Sequence, residues 1–587
     1  MNSENEIKSL LTYILNARDM KHYLQHILFS VVLGIASGLG AVAFHYLISC
    51  GQKASLFTQI SLSSYSIIAF PVIGAVIILL MVTLFPSLAL EKGVVSAIKA
   101  LISNNGYISL KTTVFNFTAS LVSIGTGAPL GPEAPAAQIG CGIGSFMSRK
   151  LNLSKSDVVM YTAAAGGAAI SAVFNAPIAG VFFGIEVLLL NDIKNNALSP
   201  LIIASVTSDL LSRSIMGDVR VFSFPSFLPA TISDYPHLIG LGILCGLFSL
   251  LYSALSVKIR AFFARQKYQY FMLPVVSLIF GIVLLKMPHL YGVGYDSISM
   301  TANGHFSIQT LILIFILKFF FVMAFLAAGG YGGIFAPSLV IGAVGGYIFS
   351  SLMNTYLGMT SNAVLYCLAG MGGMLAGMNS VPLTAIILVF EMTNDYRLVL
   401  PLMMTSVISY VFTMNYNKHT VYAKALLGSG IDVTRRGDAD ILGSLKVRDL
   451  GTKPSVIVKQ NAYFSELLST VLSSDEGTVF VVDEDNRLCG IVSLNNIRQT
   501  IAVSGMESLF IVSDLMTPFA AVTLESSISD AAEASEKCGT PLIPVVDSLE
   551  TLNVTGSLSQ HDIIAAYNNQ LEHNASDEFF IRYSYRY

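Results

Sequence analysis

Charge is scarce in this sequence. Asp, Glu, Lys and Arg make up only 12% of its 587 residues, where soluble globular chains carry about 25%. Most of the chain therefore cannot be an ordinary water-soluble domain. A surplus of positive charge is missing as well: the formal net charge is −3, which leaves no basic face for a nucleic acid. The cysteines (Cys50, Cys141, Cys245, Cys367, Cys489 and Cys538) are scattered, without a CxxC pair. Neither a disulfide framework nor a zinc site is expected from them. No nucleophile triad, metal-ligand cluster or Walker loop is legible, so the chain does not read as an enzyme, and no cofactor or metal is required. The opening residues, MNSENEIKSLLTYILNARDMKHYL, lack the basic start, apolar core and small-residue cleavage site of a signal peptide.

Apolar length and glycine are what the sequence has in quantity: 53% hydrophobic residues and 47 glycines. Glycine is commoner in membrane helices than in soluble ones. Long apolar runs dominate up to about residue 415, after which Asp, Glu, Asn, Lys and Ser rise and the runs shrink to strand length. The expected organisation is a cytoplasmic N-terminal segment at 1–23, a multi-pass membrane domain at 24–425 and a linker at 426–445. Two soluble repeats follow at 446–503 and 511–567, with a tail at 568–587. The expected fold class is mainly α and polytopic, with a small α/β domain at the C-terminal end.

The apolar runs are uneven. A straight crossing takes about 20 apolar residues; the run from Leu24 to Ser55 is longer and should tilt. Others are short, or are interrupted at GTGAPLGPEAP and GGYGGIFAP. Interrupted helices survive in hydrocarbon only where they face protein or a wet cavity, which points to a channel or transporter embedded in the bilayer. Two basic clusters, Arg149, Lys150 and Lys155, then Lys258, Arg260, Arg265 and Lys267, place those loops and both termini in the cytoplasm.

An internal repeat singles out the interruptions. At an offset of 202 residues Gly127 overlays Gly329, Gly131 overlays Gly333, Pro135 overlays Pro337 and Gly144 overlays Gly346. At 205 the following segment overlays too, pairing Gly167 with Gly372, Pro177 with Pro382 and Glu186 with Glu391. Matching broken segments in two halves mark the binding site of inverted-repeat transporters. Glycine lets backbones approach, and proline near a helix start leaves the free N–H groups in place. A helix N-terminus carries roughly half a positive charge and several unpaired donors. Two such termini converging from the two halves form a site for a small anion without a cation. Chloride, which needs only N–H and O–H donors, suits it. Glu133, ionisable within an apolar segment, is a functional candidate by default.

At these motifs the chain resembles the CLC family of chloride channels and proton/chloride antiporters. GPEAP (Gly131 to Pro135) resembles the family's G-x-E-G-P, and GGIFAP (Gly332 to Pro337) its G-x-F-x-P. FNAPIAGVFFGIE (Phe174 to Glu186), PLTAIILVFEMTNDY (Pro382 to Tyr396) and HTVYAKAL (His419 to Leu426) resemble further family segments, so the likeness covers nearly the whole length. The resemblance implies that Glu133 is the gate, its carboxylate competing with the anion and moving aside when protonated. It also implies that the backbone N–H groups of Ile334 and Phe335 line the central site and that Tyr422 offers its hydroxyl to the same ion. Gly131 and Lys92 complete the expected anion-binding set; Gly333, Pro337 and Pro135 form the pore motif. Family members are homodimers with one pore per subunit.

Three departures qualify the resemblance. The family's first anion motif, G-S-G-I-P, reads EKGVV here (Glu91 to Val95), placing Lys92 at the serine. A lysine there either raises the local anion concentration or snorkels towards the cytoplasm. The inner glutamate usual in antiporters would follow Glu186, where this chain has Val187, although some family antiporters manage without it. Pro132 removes an N–H beside the gate. The main reading is a glutamate-gated pore for chloride or a similar anion with passive permeation. The alternative is a proton-coupled anion antiporter, and a third reading is a nucleotide sensor acting through its tail.

In that tail, LKVRDLGTKPSVIV pairs with FIVSDLMTPFAAVT, and TVFVVDEDNRLCGIVSLNNI with PLIPVVDSLETLNVTGSLSQHDI. The strand, turn, strand, helix pattern resembles a tandem CBS domain, a module that often binds adenine nucleotides between its repeats. The ribose-binding signature S/T-x-x-D survives at Ser559 and Asp562, whereas the first copy ends on Asn496.

Overall fold

Proline and left-handed caps set the breaks between the helices that matter here. In the computed structural model, which describes residues 17–61, 65–191, 197–217, 222, 224–264, 271–357, 362–417, 420–427, 445–474, 476–501 and 510–566, the chain forms two compact units, Met1–Ile431 and Asp432–Tyr587. Residues 1–16, Arg265, Lys267, His419, most of the expected linker and the 568–587 tail lie outside the described residues.

The first unit is helical. Seven of its described helices are long and apolar enough to cross a membrane, the first of them Leu24–Ser55. The helices that build the site are α1 (Gly93–Ser103), α2 (Glu133–Lys150), α3 (Lys155–Phe174) and α4 (Pro177–Phe183), then α5 (Tyr295–Ala302), α6 (Ile308–Ala327), α7 (Phe335–Leu357), α8 (Ala363–Asn379), α9 (Pro382–Thr393) and α10 (Val421–Leu427). The repeat is visible in their boundaries: α2 and α7 begin at Glu133 and Phe335, 202 residues apart. Helices α3 and α8 both end on a left-handed residue, Asn175 (φ 51°) and Ser380 (φ 58°). A proline two residues later starts α4 and α9, at the position where its missing N–H costs nothing.

Small residues decide how closely these helices pack. A Cβ on Gly140 of α2 would collide with the Ala165 carbonyl of α3, and one on the equivalent Gly342 of α7 with the Gly370 carbonyl of α8. With no hydrophobic drive between helices in lipid, such backbone approach is what holds them together.

The second unit contains two three-stranded sheets, β1 (Ile457–Lys459), β2 (Thr478–Val482) and β3 (Leu488–Ser493), and β4 (Val522–Thr523), β5 (Leu542–Val546) and β6 (Val554–Ser559). In each, the first pair is parallel and the second antiparallel, with a bulge at the same place, Val481/Val482 and Val545/Val546. The repeats exchange their leading segments. Lys453, before β1, pairs with Ser557 of β6, and Thr517, before β4, pairs with Ile491 of β3. Each copy completes the other's sheet edge.

Candidate functional site: a backbone cradle for an anion

The two interrupted segments meet. Gly131 N–H donates to the Gly333 carbonyl at 3.0 Å, and Gly333 N–H donates back to the Gly131 carbonyl at 2.7 Å. Equivalent residues can bond mutually in this way only if the two halves face each other about a local two-fold axis. Upstream, Gly127 (φ 102°) and Gly329 (φ 104°) turn the chain identically, in a region that a side chain would make costly. Gly131 was expected among the anion ligands, and in this structure its N–H is taken by a protein acceptor. That bond to Gly333 ties the two turns.

The repeat is broken where chemistry enters. Position 133 of the first half corresponds to position 335 of the second; one is Glu and the other Phe. Glu133, with no exposed surface, sends its carboxylate across the axis to the N-terminus of α7. There Oε1 accepts from Phe335 N–H at 2.7 Å and from Ala336 N–H at 3.3 Å. One half supplies the acid and the other the amides. The Ile334 and Phe335 amides were expected at the central anion site; the gate carboxylate takes Phe335 of that pair together with Ala336. Pro135 and Pro337 occupy the first turns of α2 and α7, where an N–H has no intrahelical partner in any case. The buried Tyr422, on α10, lies within electrostatic reach of the Glu133 carboxylate.

Lys92, which precedes α1, does not snorkel. Its ammonium donates to the Gly329 carbonyl at 2.7 Å and lies 4.1 Å from the centre of the Tyr331 ring, bracing the first half against the turn of the second. It pairs with no carboxylate among the described residues. Lys92→Ser is expected to change the flux ratios among chloride, nitrate and bicarbonate. The change should be roughly three- to tenfold, the scale of about 1 kcal/mol for a cation–ring contact that is not fully desolvated. Unchanged ratios would reduce Lys92 to a mechanical brace.

Glu186 and Glu391 form a second exchange between the halves. Glu186 lies in a π-helical turn, Gly184–Leu188, that continues α4. It accepts from Leu383 N–H at 3.0 Å, Thr384 N–H at 2.7 Å and the Thr384 hydroxyl at 2.6 Å, all at the start of α9. Glu391 of α9 accepts from Ile178 N–H at 3.0 Å and Ala179 N–H at 2.8 Å at the start of α4. Each caps the other's helix. Val187, beside Glu186, is fully buried.

Sequence reasoning passed over Lys318 and Tyr295. Lys318 interrupts the apolar run of α6, is 1% exposed, and donates to the Gly292 carbonyl at 2.7 Å. A lone cation in a membrane helix is itself the signal that would have found it. Tyr295 carries no such signal, since tyrosine is common at the ends of membrane segments.

Comparison with known proteins places this geometry. The sequence profile described as "Voltage gated chloride channel" matches residues 74–414, and that of the CBS domain matches 447–503. The chain belongs to the voltage-gated chloride channel (CLC) family. It is an integral membrane protein of anion transport with a CBS domain towards its C-terminal end. A protein of Ralstonia nicotianae carrying a ClcB-like chloride-channel name is 30% identical over 351 residues, covering 59% of this chain and 82% of that protein. The H(+)/Cl(-) exchange transporter ClcA of Vibrio cholerae is 30% identical over 319 residues, covering 53% and 68%. Among solved structures, a slow cyanobacterial Cl-/H+ antiporter superposes with a TM-score of 0.64 at 23% identity, over 69% of this chain and 97% of that one. A eukaryotic CLC transporter superposes with a TM-score of 0.62 at 17% identity, over 92% and 98%. These last two are likenesses of fold.

Proposed function

We propose that this chain exchanges chloride, or a similar small anion, for protons, with Glu133 as the group that both must pass. The observation that carries this reading is the Glu133 carboxylate lodged on the Phe335 and Ala336 amides, where an anion would otherwise be bound. An ionised carboxylate and an anion compete for the same donors. Protonation removes the carboxylate's claim on them. One group thus couples the two ions, the least that an exchanger needs. The relatives named as H(+)/Cl(-) exchange transporters support the same reading. Passive permeation is favoured by Val187 and by the channel name of the Ralstonia relative.

Liposomes holding the full-length protein under a chloride gradient, without ionophore, separate the two. An exchanger drives protons uphill as chloride runs down, whereas a channel moves chloride alone. We place one pore in each subunit of a homodimer, with both termini in the cytoplasm.

For the tail, the reading is an adenine nucleotide at the surviving signature. Ser559 Oγ donates to Asp562 Oδ2 at 2.8 Å, and Lys453 Nζ lies 2.9 Å from the same oxygen. Burial alone would push the Asp562 carboxyl up. The bonds from Lys453 and Ser559 outweigh it and hold the group below the usual carboxylate range. A lowered value keeps the acceptor ionised at neutral pH, and the Lys453 pair weakens only as pH falls through it. A ribose would take the place of Lys453 on the carboxylate and free the lysine for a phosphate. Calorimetric titration of the full chain with ATP is expected to give binding that Asp562→Ala weakens about tenfold, the loss of hydrogen bonds to a charged acceptor. Absence of heat in the unsubstituted protein would leave the tail a structural module.

A further inference from the structure

The α7 amides hold only one oxygen of Glu133. The other, Oε2, is buried without a hydrogen-bond partner among the described residues, and so is the hydroxyl oxygen of Tyr295. The two groups lie within electrostatic reach of each other yet are not bonded. Buried polar side-chain atoms are rarely left unpartnered, because such an atom has given up water and gained nothing in return. Two such atoms within electrostatic reach of each other, one of them on a carboxylate held by an amide cradle, leave a place for a third species that completes both.

The position of Tyr295 is enforced from three directions. It opens α5 directly after Gly294 (φ 94°). The loop leading to it is gripped by Lys318 of α6, whose ammonium donates to the carbonyls of Gly292 at 2.7 Å and Leu290 at 3.5 Å. Gly292 N–H then donates to the Gly127 carbonyl at 3.0 Å, tying the same loop to the first-half turn that precedes Glu133. The Tyr295 ring packs edge-on against the buried Phe222, with centroids 5.4 Å apart. Its ring is only partly buried, but its hydroxyl is sealed. A hydroxyl fixed in this way has an O–H to donate and no acceptor among the described residues, which suits an ion that accepts and cannot donate.

We propose that the Tyr295 hydroxyl is a ligand of the anion path, donating to a small monatomic anion beside Glu133 Oε2. The assignment rests on the exchange reading given above, since it needs Glu133 to be neutral or displaced while the ion is bound. Protonated on Oε2, Glu133 becomes a second donor to the same ion, so that proton and anion occupy the site together. Lys318 acts through the loop as a positioning residue.

The test is chloride titration calorimetry on the full-length protein, with Glu133→Ala as the parent so that no carboxylate occupies the cradle. Adding Tyr295→Phe, which removes one oxygen, is expected to raise the chloride Kd roughly tenfold, the loss of one hydrogen bond to a charged group. In otherwise unsubstituted protein, Tyr295→Phe is expected to raise the half-saturating chloride concentration by a similar factor at an unchanged maximal rate. A purely structural role would lower the maximal rate and the thermal midpoint instead. An unchanged Kd on the Glu133→Ala parent overturns the assignment and leaves the exchange reading standing. Failure of that parent to bind chloride at all overturns the anion cradle itself, and Tyr295 with it.

Discussion

In liposomes, Glu133→Gln is expected to leave chloride flux in place while proton movement falls to the leak of protein-free vesicles. The side chain keeps its size, and one amide oxygen can still accept from Phe335 N–H, which the carboxylate holds at 2.7 Å. It loses the charge and the exchangeable proton. Hydrogen bonds to an ionised acceptor contribute about 1.5–3 kcal/mol each, and a neutral acceptor recovers only part of that. The glutamine therefore competes less well with chloride for the α7 amides and cannot ferry a proton. The pH response follows with a definite sign. In the unsubstituted protein, acid neutralises Glu133 and releases the amides, so chloride flux rises as pH falls. In Glu133→Gln that slope disappears. A slope that persists would move the gate to another residue, and proton movement that persists would remove Glu133 from the proton route.

What made this site legible was the duplication. Gly131 and Gly333, aligned by offset alone, turn out to bond to each other; prolines 177 and 382 start short helices that cap one another. Periodicity and offset report which residues are equivalent, and inverted equivalents in one chain tend to meet at their axis. They do not report where a donor is spent. Gly131 N–H was therefore expected to face an ion and instead faces Gly333. The motif named Ile334 and Phe335 for the central anion site but did not name the amides on the gate, Phe335 and Ala336, which the reach of the Glu133 side chain selects. Lys92 was assigned to the ion or to the cytoplasm, because a one-dimensional reading could not place the Gly329 carbonyl within its reach. The sealed Tyr295 hydroxyl depends on a loop held by Lys318, 23 residues downstream, and no local pattern encodes that contact. The tail repeats the lesson in water: its copies were recognisable as two, but the exchange of Lys453 and Thr517 between them was not.

The reciprocal caps carry the second large prediction. Glu391→Ala strands the Ile178 and Ala179 amides at the start of α4, and Glu186→Ala strands those of Leu383 and Thr384, with the Thr384 hydroxyl, at the start of α9. Where no water replaces the carboxylate, each stranded donor costs about 1–3 kcal/mol. Either substitution should therefore destabilise the membrane unit by about 2–5 kcal/mol, lowering the thermal midpoint in detergent by roughly 2–6 °C. Glu186→Gln should cost less than Glu186→Ala, because one oxygen remains for Thr384 while the new NH2 opposes the Leu383 amide. The same variant bears on the proton route, since Val187 leaves Glu186 as the neighbouring carboxylate. Its oxygens are occupied by three donors, which a proton would have to displace. Glu186→Gln is accordingly expected to keep proton coupling while losing thermal stability. Loss of coupling at an unchanged midpoint would make Glu186 a proton carrier and reduce its cap to a resting position.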